Sequence, residues 1–478
     1  MELIDKFIKF EYEEDLFNKG IQGVKFWHYI RFSIYEEILK QKNYLGQAHS
    51  GLNDKKFITK VWYKLKQIPN FILKNPLYGL KQRNILVLNC ARRIRNGRDY
   101  NDIYTDDILK NVNRTYYVLE EPYLEKHFKP IRTENIRYLD YIHFIVSVKI
   151  KFFKFINTKY GNLCETDINE LYLLLNNINN IFNVNIDNNR VFKEIKNLIL
   201  VYKLSKKYYE KILDRIKPKV IIEECSYGFS RLLINEIAKI MAIPTIELQH
   251  GVMGKYHIAY NFYSKKKLET FPDYIFLFGE YWKKNTRFPL ESDRLIVTGF
   301  PYFEKKTMKV RQICKNNKKN IFLFVSDISK ELSQMAIKLD NLIDHKKYKI
   351  IYKLHPKEYD RWEKKYQWLK YSNIEVIDND DKDIYYYFSI STFQIGVSST
   401  AIFEGLGFNL KTFIYKKSCY EYTEYLYKNN FAQLVSSAEE VIKHLNNNQK
   451  VLEDKNIFWK SNSLKNIINN INNIYDRN

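Results

Sequence analysis

Three short clusters in this chain set histidine or hydroxyl side chains beside glycine or proline at the end of an apolar run. Acid–base and phosphate chemistry can be built from such arrangements. Gln249-His250-Gly251 closes the run PTIELQH. A histidine there can act as a general base near neutral pH, because its reference pKa is about 6.5, and Gly251 lets a ligand approach the backbone closely. Taken alone, a strand-end histidine is more often structural. Lys353-Leu354-His355-Pro356-Lys357 ends YKIIYKLHP. The proline stops the strand and holds His355 extended, and His355 with Lys353 and Lys357 offers donors and positive charge to a phosphate. Ordinary solvated lysines at a strand end are the plain alternative. In GVSSTAIFEG, Ser398, Ser399 and Thr400 stand at a strand-to-helix junction. They suit capping of the helix, whose first N–H groups can bind phosphate. Glu404, one turn on, is placed to accept hydrogen bonds from a ribose, which favours a nucleotide site over simple capping. Glu224, closing KVIIEEC with Glu223, is a second candidate base in place of His250, or a cap for the next turn.

Those positions need a scaffold, and the apolar pattern supplies one. NILVLNC (84–90), TYYVLEE (115–121), KVIIEEC (219–225), PTIELQH (244–250), DYIFLFG (273–279) and RLIVTGFP (294–301) are short, nearly continuous apolar runs. Such runs predict parallel strands buried on both faces. FSRLLINEIAKIMAI, between the third and fourth, has the length and period of a crossover helix, so a βαβ unit is expected. After the lysine- and asparagine-rich stretch 305–319 the pattern restarts with KNIFLFVS (319–326), YKIIYKLHP (348–356), IEVID (374–378), FQIGVSS (393–399) and KTFIYK (411–416). The fold class is therefore α/β, with two Rossmann-like parallel-sheet domains facing a central cleft. The boundaries fall at 1–80 for a helical N-terminal segment, with GVKFWHYIRFSIYEEIL its clearest helix, and 81–304 for the first sheet domain. The second spans 305–455, and 456–478 form a helical, asparagine-rich tail with a frayed end. Ligands of such sheets lie outside the carboxyl ends of the strands, where all the clusters fall.

QHG, then DYIFLFGEYW leading into VTGFP, then KLHPK, then SSTAIFEG follow one another over roughly residues 220–415. That series resembles the GT-B enzymes of bacterial capsule, lipopolysaccharide and teichoic acid synthesis. Among them are teichoic-acid polyol-phosphate polymerases, capsule Kdo-transferases and bacterial polysialyltransferases. The resemblance implies that His355, Ser398, Ser399 and Thr400, with Lys357 beside them, grip the donor nucleotide and its phosphates, that Glu404 meets the ribose, and that His250 activates an acceptor hydroxyl. It implies a nucleotide-sugar donor, CMP-, UDP- or CDP-linked, a glycan acceptor, and neither cofactor nor metal. The segment around Gly23 to Arg31 is also similar to other surface-carbohydrate proteins. Two departures stand out. Val252-Met253-Gly254-Lys255 follows the histidine-glycine pair where the polyol-phosphate enzymes continue T-P-L-K, and the acidic E-D-G motif of polysialyltransferases has no clean copy. The implied activity is glycosyl transfer into a surface polysaccharide or lipid-linked glycan. A CDP-polyol phosphotransferase, a nucleotide-sugar 2-epimerase and a non-catalytic glycan-binding protein are the alternatives.

Composition narrows the field further. A net charge of +23 would attract nucleic acid, an anionic membrane or acidic small substrates. The basic residues are dispersed and no RNA-binding aromatic strand is present, so nucleic acid is the least favoured. Cys90, Cys164, Cys225, Cys314 and Cys419 are odd in number and lack a C-x-x-C pair, which fits a reducing cytoplasm rather than a disulfide framework or zinc site. The N-terminus is too acidic for a signal peptide, and no apolar stretch reaches spanning length. YIHFIVSVKIKFFKFI (141–156) reads in two ways, an interfacial helix at the inner face of the membrane or a buried strand followed by a helix start, and the second is favoured. Asp378-Asn379-Asp380-Asp381 reads as a solvated loop, and the phosphate-cradling loop of ATPases, the dinucleotide fingerprint and the hydrolase elbow are all missing.

Overall fold

The structure is a computed structural model that describes residues 2–44, 68–90, 93–123, 126–156, 163–313, 318–450 and 454–477. Every apolar run read as a strand is one. Strands β1 (Ile85–Asn89), β2 (Arg93–Asn96), β3 (Asp99–Asp102), β4 (Tyr116–Glu120), β5 (Ile136–Tyr138), β6 (Val220–Glu224), β7 (Thr245–Leu248), β8 (Tyr274–Leu277) and β9 (Leu295–Val297) belong to the first half. Apart from the β2–β3 hairpin they form one parallel sheet in the order β5-β4-β1-β6-β7-β8-β9. Strands β10 (Lys319–Val325), β11 (Lys349–Lys353), β12 (Glu375–Ile377), β13 (Ser391–Gly396), β14 (Lys411–Tyr415) and β15 (Gln433–Val435) form a second parallel sheet, ordered β12-β11-β10-β13-β14-β15. This is the two-unit Rossmann-like arrangement of the GT-B kind. Strand order reverses between β1 and β6 in one sheet and between β10 and β13 in the other, the places where such sheets bind ligands. Both central strands are buried along their cores, which is why they read as unbroken apolar runs.

Helices Leu3–Glu13 and Trp27–Gln41 of the N-terminal segment pack into the core of the first unit beside the long helix Asn188–Ile216. Arg31 fixes them there. It is buried, pairs with both carboxylate oxygens of Glu11 at 2.8 and 2.6 Å, and donates to the carbonyls of Ile258 and Asn261. Residues 45–67 of the predicted helical segment lie outside the described residues. The chain's last helix, Ser463–Tyr475, returns to the first sheet, where Ile467, Ile471 and Ile474 are buried in one cluster with residues of β1, β4, β6 and β7. The return passes close to Gly299, whose φ of +94° suits glycine, and a Cβ there would stand 2.1 Å from the Lys460 carbonyl oxygen.

Residues 141–156 correct the favoured reading of a buried strand followed by a helix start: they form one helix, Asp140–Phe155, with Ile156 as its cap. Its buried residues Ile142, Val146 and Ile150 recur every four positions. Positions 142, 144, 146, 148, 150 and 152 are all apolar, so the run also alternates as a strand does; its 16-residue length and its burial at every fourth position are those of a helix. Among the described residues no helix is long and apolar enough to cross a membrane.

Candidate functional site

At the carboxyl edge of the second sheet, the loops after β10, β11 and β13 lie side by side. His355 opens a short turn: its Nδ1 accepts the Lys357 N–H at 3.1 Å, which places the proton of the neutral ring on Nε2. The His355 N–H donates to Glu358 Oε2 at 3.0 Å. That same buried carboxylate accepts from the Ser326 hydroxyl at 2.6 Å and from the Tyr366 hydroxyl, so the loops after β10 and β11 are tied to one anchor. Lys353 is drawn elsewhere: its Nζ donates to the Tyr359 hydroxyl and the Asn379 carbonyl, and burial lowers its pKa. Lys357 is half-buried beside His355.

After β13, Ser399 spends its hydroxyl as the cap of the helix Thr400–Leu406, accepting the Ala401 N–H at 3.3 Å. Ser398 and Thr400 flank it, half-buried. The helix has only seven residues, so its dipole adds little and these side chains are the main polar groups on offer. Glu404 is buried, and burial pushes its carboxyl up to about 7 against the opposing effect of a hydrogen bond from Tyr385.

The first sheet's edge is built around His250. Gln249 fixes the turn, accepting the Phe278 N–H and donating to the Gly251 carbonyl, each at 2.8 Å. Tyr104 donates its hydroxyl to the His250 carbonyl at 2.6 Å. The His250 ring lies with Nδ1 3.7 Å from Glu247 Oε1 and with Nε2 3.5 Å from the Tyr227 hydroxyl. Glu247 is buried and held by the Ser226 N–H at 3.1 Å and the Tyr260 hydroxyl. Burial raises its pKa, while His250 and these donors draw it back. A carboxylate thus faces one ring nitrogen at ion-pair distance and a phenol stands beside the other, an arrangement that suits proton transfer. His257 nearby is half-buried, and loss of hydration pushes it down to about 3, so it stays neutral.

Glu224 stands at the end of β6, wholly buried, with no hydrogen-bond donor on either carboxylate oxygen. Burial, and then the neighbouring Asp102 and Cys90, hold its pKa well above the usual range. Burial and Glu247 likewise push Glu223 up to about 8.

The two edges meet. A Cβ built on Gly251 would stand 3.6 Å from Thr400 Oγ1, and Tyr422 of the second unit donates to the Tyr256 carbonyl at 3.1 Å. Tyr104 also lies in the electrostatic reach of Tyr385, the partner of Glu404, and Tyr302 packs on Tyr385 at 5.7 Å. The turns of His250-Gly251 and Ser398-Ser399-Thr400 thus meet at one junction, with Glu404 buried one turn along the helix and His355 and Lys357 past the end of β11, two strands away. Glu247, Tyr104 and Tyr227 escaped the sequence reading. A lone glutamate inside the apolar run PTIELQH was the available signal for Glu247, since a buried carboxylate demands a partner. Asp378 and Asp380, from the acidic loop, accept from Trp362 Nε1 at 3.0 Å and the Tyr359 hydroxyl at 2.7 Å. No cluster of three or more metal-ligating side chains occurs among the described residues.

No protein-family model matches the chain, and no curated protein matches it either. Solved structures do resemble it. UDP-GlcNAc 2-epimerase from Neisseria meningitidis, bound to UDP-GlcNAc, is 12% identical over 81% of this chain and 99% of its own, with a TM-score of 0.47. The wall teichoic acid polymerase TagF is 12% identical over 88% of this chain and 99% of its own, with a TM-score of 0.42. MurG from Acinetobacter baumannii is 11% identical over 57% and 78%, with a TM-score of 0.40. At identities and scores this low, no residue's role is carried over from them.

Proposed function

We propose that this chain is a glycosyltransferase that moves a sugar from a CMP-, UDP- or CDP-linked donor to a glycan acceptor at the inner face of a bacterial membrane, in building a surface polysaccharide. The supporting observation is the junction itself: a Cβ on Gly251, next to His250 at one sheet's edge, would stand 3.6 Å from the hydroxyl of Thr400, in the hydroxyl cluster of the other. The donor's phosphates take the hydroxyls of Ser398 and Thr400, His355 Nε2–H and the Lys357 ammonium. Ser399 shapes their loop, and the ribose reaches Glu404. The acceptor hydroxyl gives its proton to His250 Nε2 as its oxygen bonds to the anomeric carbon. The bond from that carbon to the phosphate oxygen breaks, and its electron pair leaves with the nucleotide. Glu247 stabilises the imidazolium that forms, and the donors around the phosphate stabilise the departing charge. Glu224, wholly buried with its pKa raised, takes no proton in this scheme.

Calorimetric titration of CMP, CDP, UDP and GDP into the wild type and His355→Ala tests the donor site. One nucleotide is expected to bind, with roughly tenfold or greater loss in the variant. Failure of all four to bind would overturn the reading. Incubating the matching nucleotide sugar with and without a glycan acceptor then separates transfer from epimerisation, since epimerisation proceeds with no acceptor.

A further inference from the structure

The helix Asp140–Phe155 carries two apolar stripes, where a helix packed on a protein body needs one. Ile142, Val146 and Ile150 face the core. Phe144, Val148, Phe152 and Phe155, spaced four, four and three apart, form a second stripe that is exposed, with Phe155 86% exposed. The helix Ile68–Leu73 packs against it through Phe71, whose ring lies 5.2 Å from that of Phe144, and adds Ile72 and Leu73, 78% and 75% exposed. A contiguous apolar face of this kind marks an interaction surface.

Cations border it. Lys151 and Lys154 are exposed on the same helix. Toward its N-terminal end Lys74, Arg137 and Lys129 gather, so that, after burial, the latter two help push the Lys74 pKa down. Asp140, at the start of the helix, accepts from His127 Nε2 at 2.7 Å and is already engaged. Cations around a face of large apolar side chains, on a chain of net charge +23, complement an anionic lipid bilayer. A second copy docking by the same face would set these cations against one another. The helix also begins beside the first sheet's edge: His143 Nε2 lies 3.9 Å from Glu121 Oε1, just past the end of β4.

We propose that the exposed faces of Asp140–Phe155 and Ile68–Leu73 form a membrane-docking surface, with Phe152 and Phe155 inserted among the acyl chains and Lys151 and Lys154 at anionic headgroups. Docking stands independently of the transfer chemistry. That it presents the first sheet's edge to a lipid-linked acceptor rests on the proposed function. Flotation of the full chain with vesicles of phosphatidylglycerol and phosphatidylcholine in equal parts, or of phosphatidylcholine alone, tests it. The wild type is expected to float with the anionic vesicles and to be released by salt. The pairs Phe152→Ser with Phe155→Ser and Lys151→Glu with Lys154→Glu should each weaken partition about tenfold or more, with circular dichroism and nucleotide affinity unchanged. A control pair on an exposed loop of the second unit, Lys346→Glu with Lys347→Glu, should float as the wild type does. Wild-type-like flotation of either helix pair overturns the proposal. So does a wild type that ignores vesicles yet self-associates in sedimentation through Phe152 and Phe155, since a second copy would then own this face.

Discussion

The two sheet edges that face each other are made of opposite materials. The first is crowded with carboxylates, Asp102, Glu120, Glu223, Glu224 and Glu247 buried and Glu121 half-buried. Arg93 and His127 hold Glu120, and Arg231 holds Glu121 ionised against the upward push of burial, while Glu223 and Glu224 are pushed toward the protonated form. The second edge offers hydroxyls, an imidazole N–H and a lysine, with Glu358 consumed as a loop anchor, Asp327 paired with Lys417 at 2.6 Å and Glu404 buried behind them. Buried charge persists only when paired or neutralised. Under the proposed function the first edge, its acids paired or neutralised, handles protons, and the second, with its donors, receives the phosphates. The difference teaches how a cleft sorts donor from acceptor by the chemistry of its two edges.

The sharpest way to break that division of labour is His250→Ala. If proton handling belongs to the first edge alone, transfer falls roughly 10³-fold while nucleotide affinity measured by calorimetry stays within about twofold. Loss of both together would merge the two edges into one binding site. Glu247→Gln should act more gently and more informatively, lowering kcat roughly 10²-fold. A carboxylate facing Nδ1 stabilises the imidazolium, so its removal should lower the His250 pKa and move the acid limb of the pH–kcat profile to lower pH. An unmoved limb would mean that Glu247 only packs.

Much of this was legible in the sequence, for physical reasons that also explain what was not. Parallel strands buried on both faces write themselves as apolar runs, and β1, β6, β10 and β13 could be read directly. β5 and β15 are three residues long, and the β2–β3 hairpin is polar, so none left such a mark. The strand-end rule found His250, His355 and Ser398 because topology alone places those positions. It could not find Tyr104, which meets His250 from 146 residues away, nor foresee that Lys353, two residues before His355, turns to Asn379. Partners of that kind are set by packing between segments, which no local window contains. The Asp140–Phe155 helix was misread for a related reason: with apolar side chains on two faces, its period hides in what looks like a continuous run.

Glu404 gives the smallest effect and tests whether the second edge is free of acid chemistry. Its carboxyl is pushed from a reference near 4.5 up to about 7 by burial. A folded state that holds this proton more tightly than the unfolded chain gains stability that is fully present below about 4.5 and is lost as pH rises through about 7. A ribose hydroxyl donating to Glu404 favours the ionised form, so nucleotide affinity should move the other way, tightening several-fold between about pH 6 and 8. Glu404→Gln should flatten both trends: thermal melts lose this part of their fall with pH, and the calorimetric Kd becomes pH-independent over that range. If the melts flatten while the wild-type Kd never depended on pH, Glu404 is a buried structural acid and the ribose lies elsewhere. If both change together, one carboxyl links stability to donor binding, and from about pH 6 to 7 the grip on the nucleotide strengthens while the empty fold loses stability.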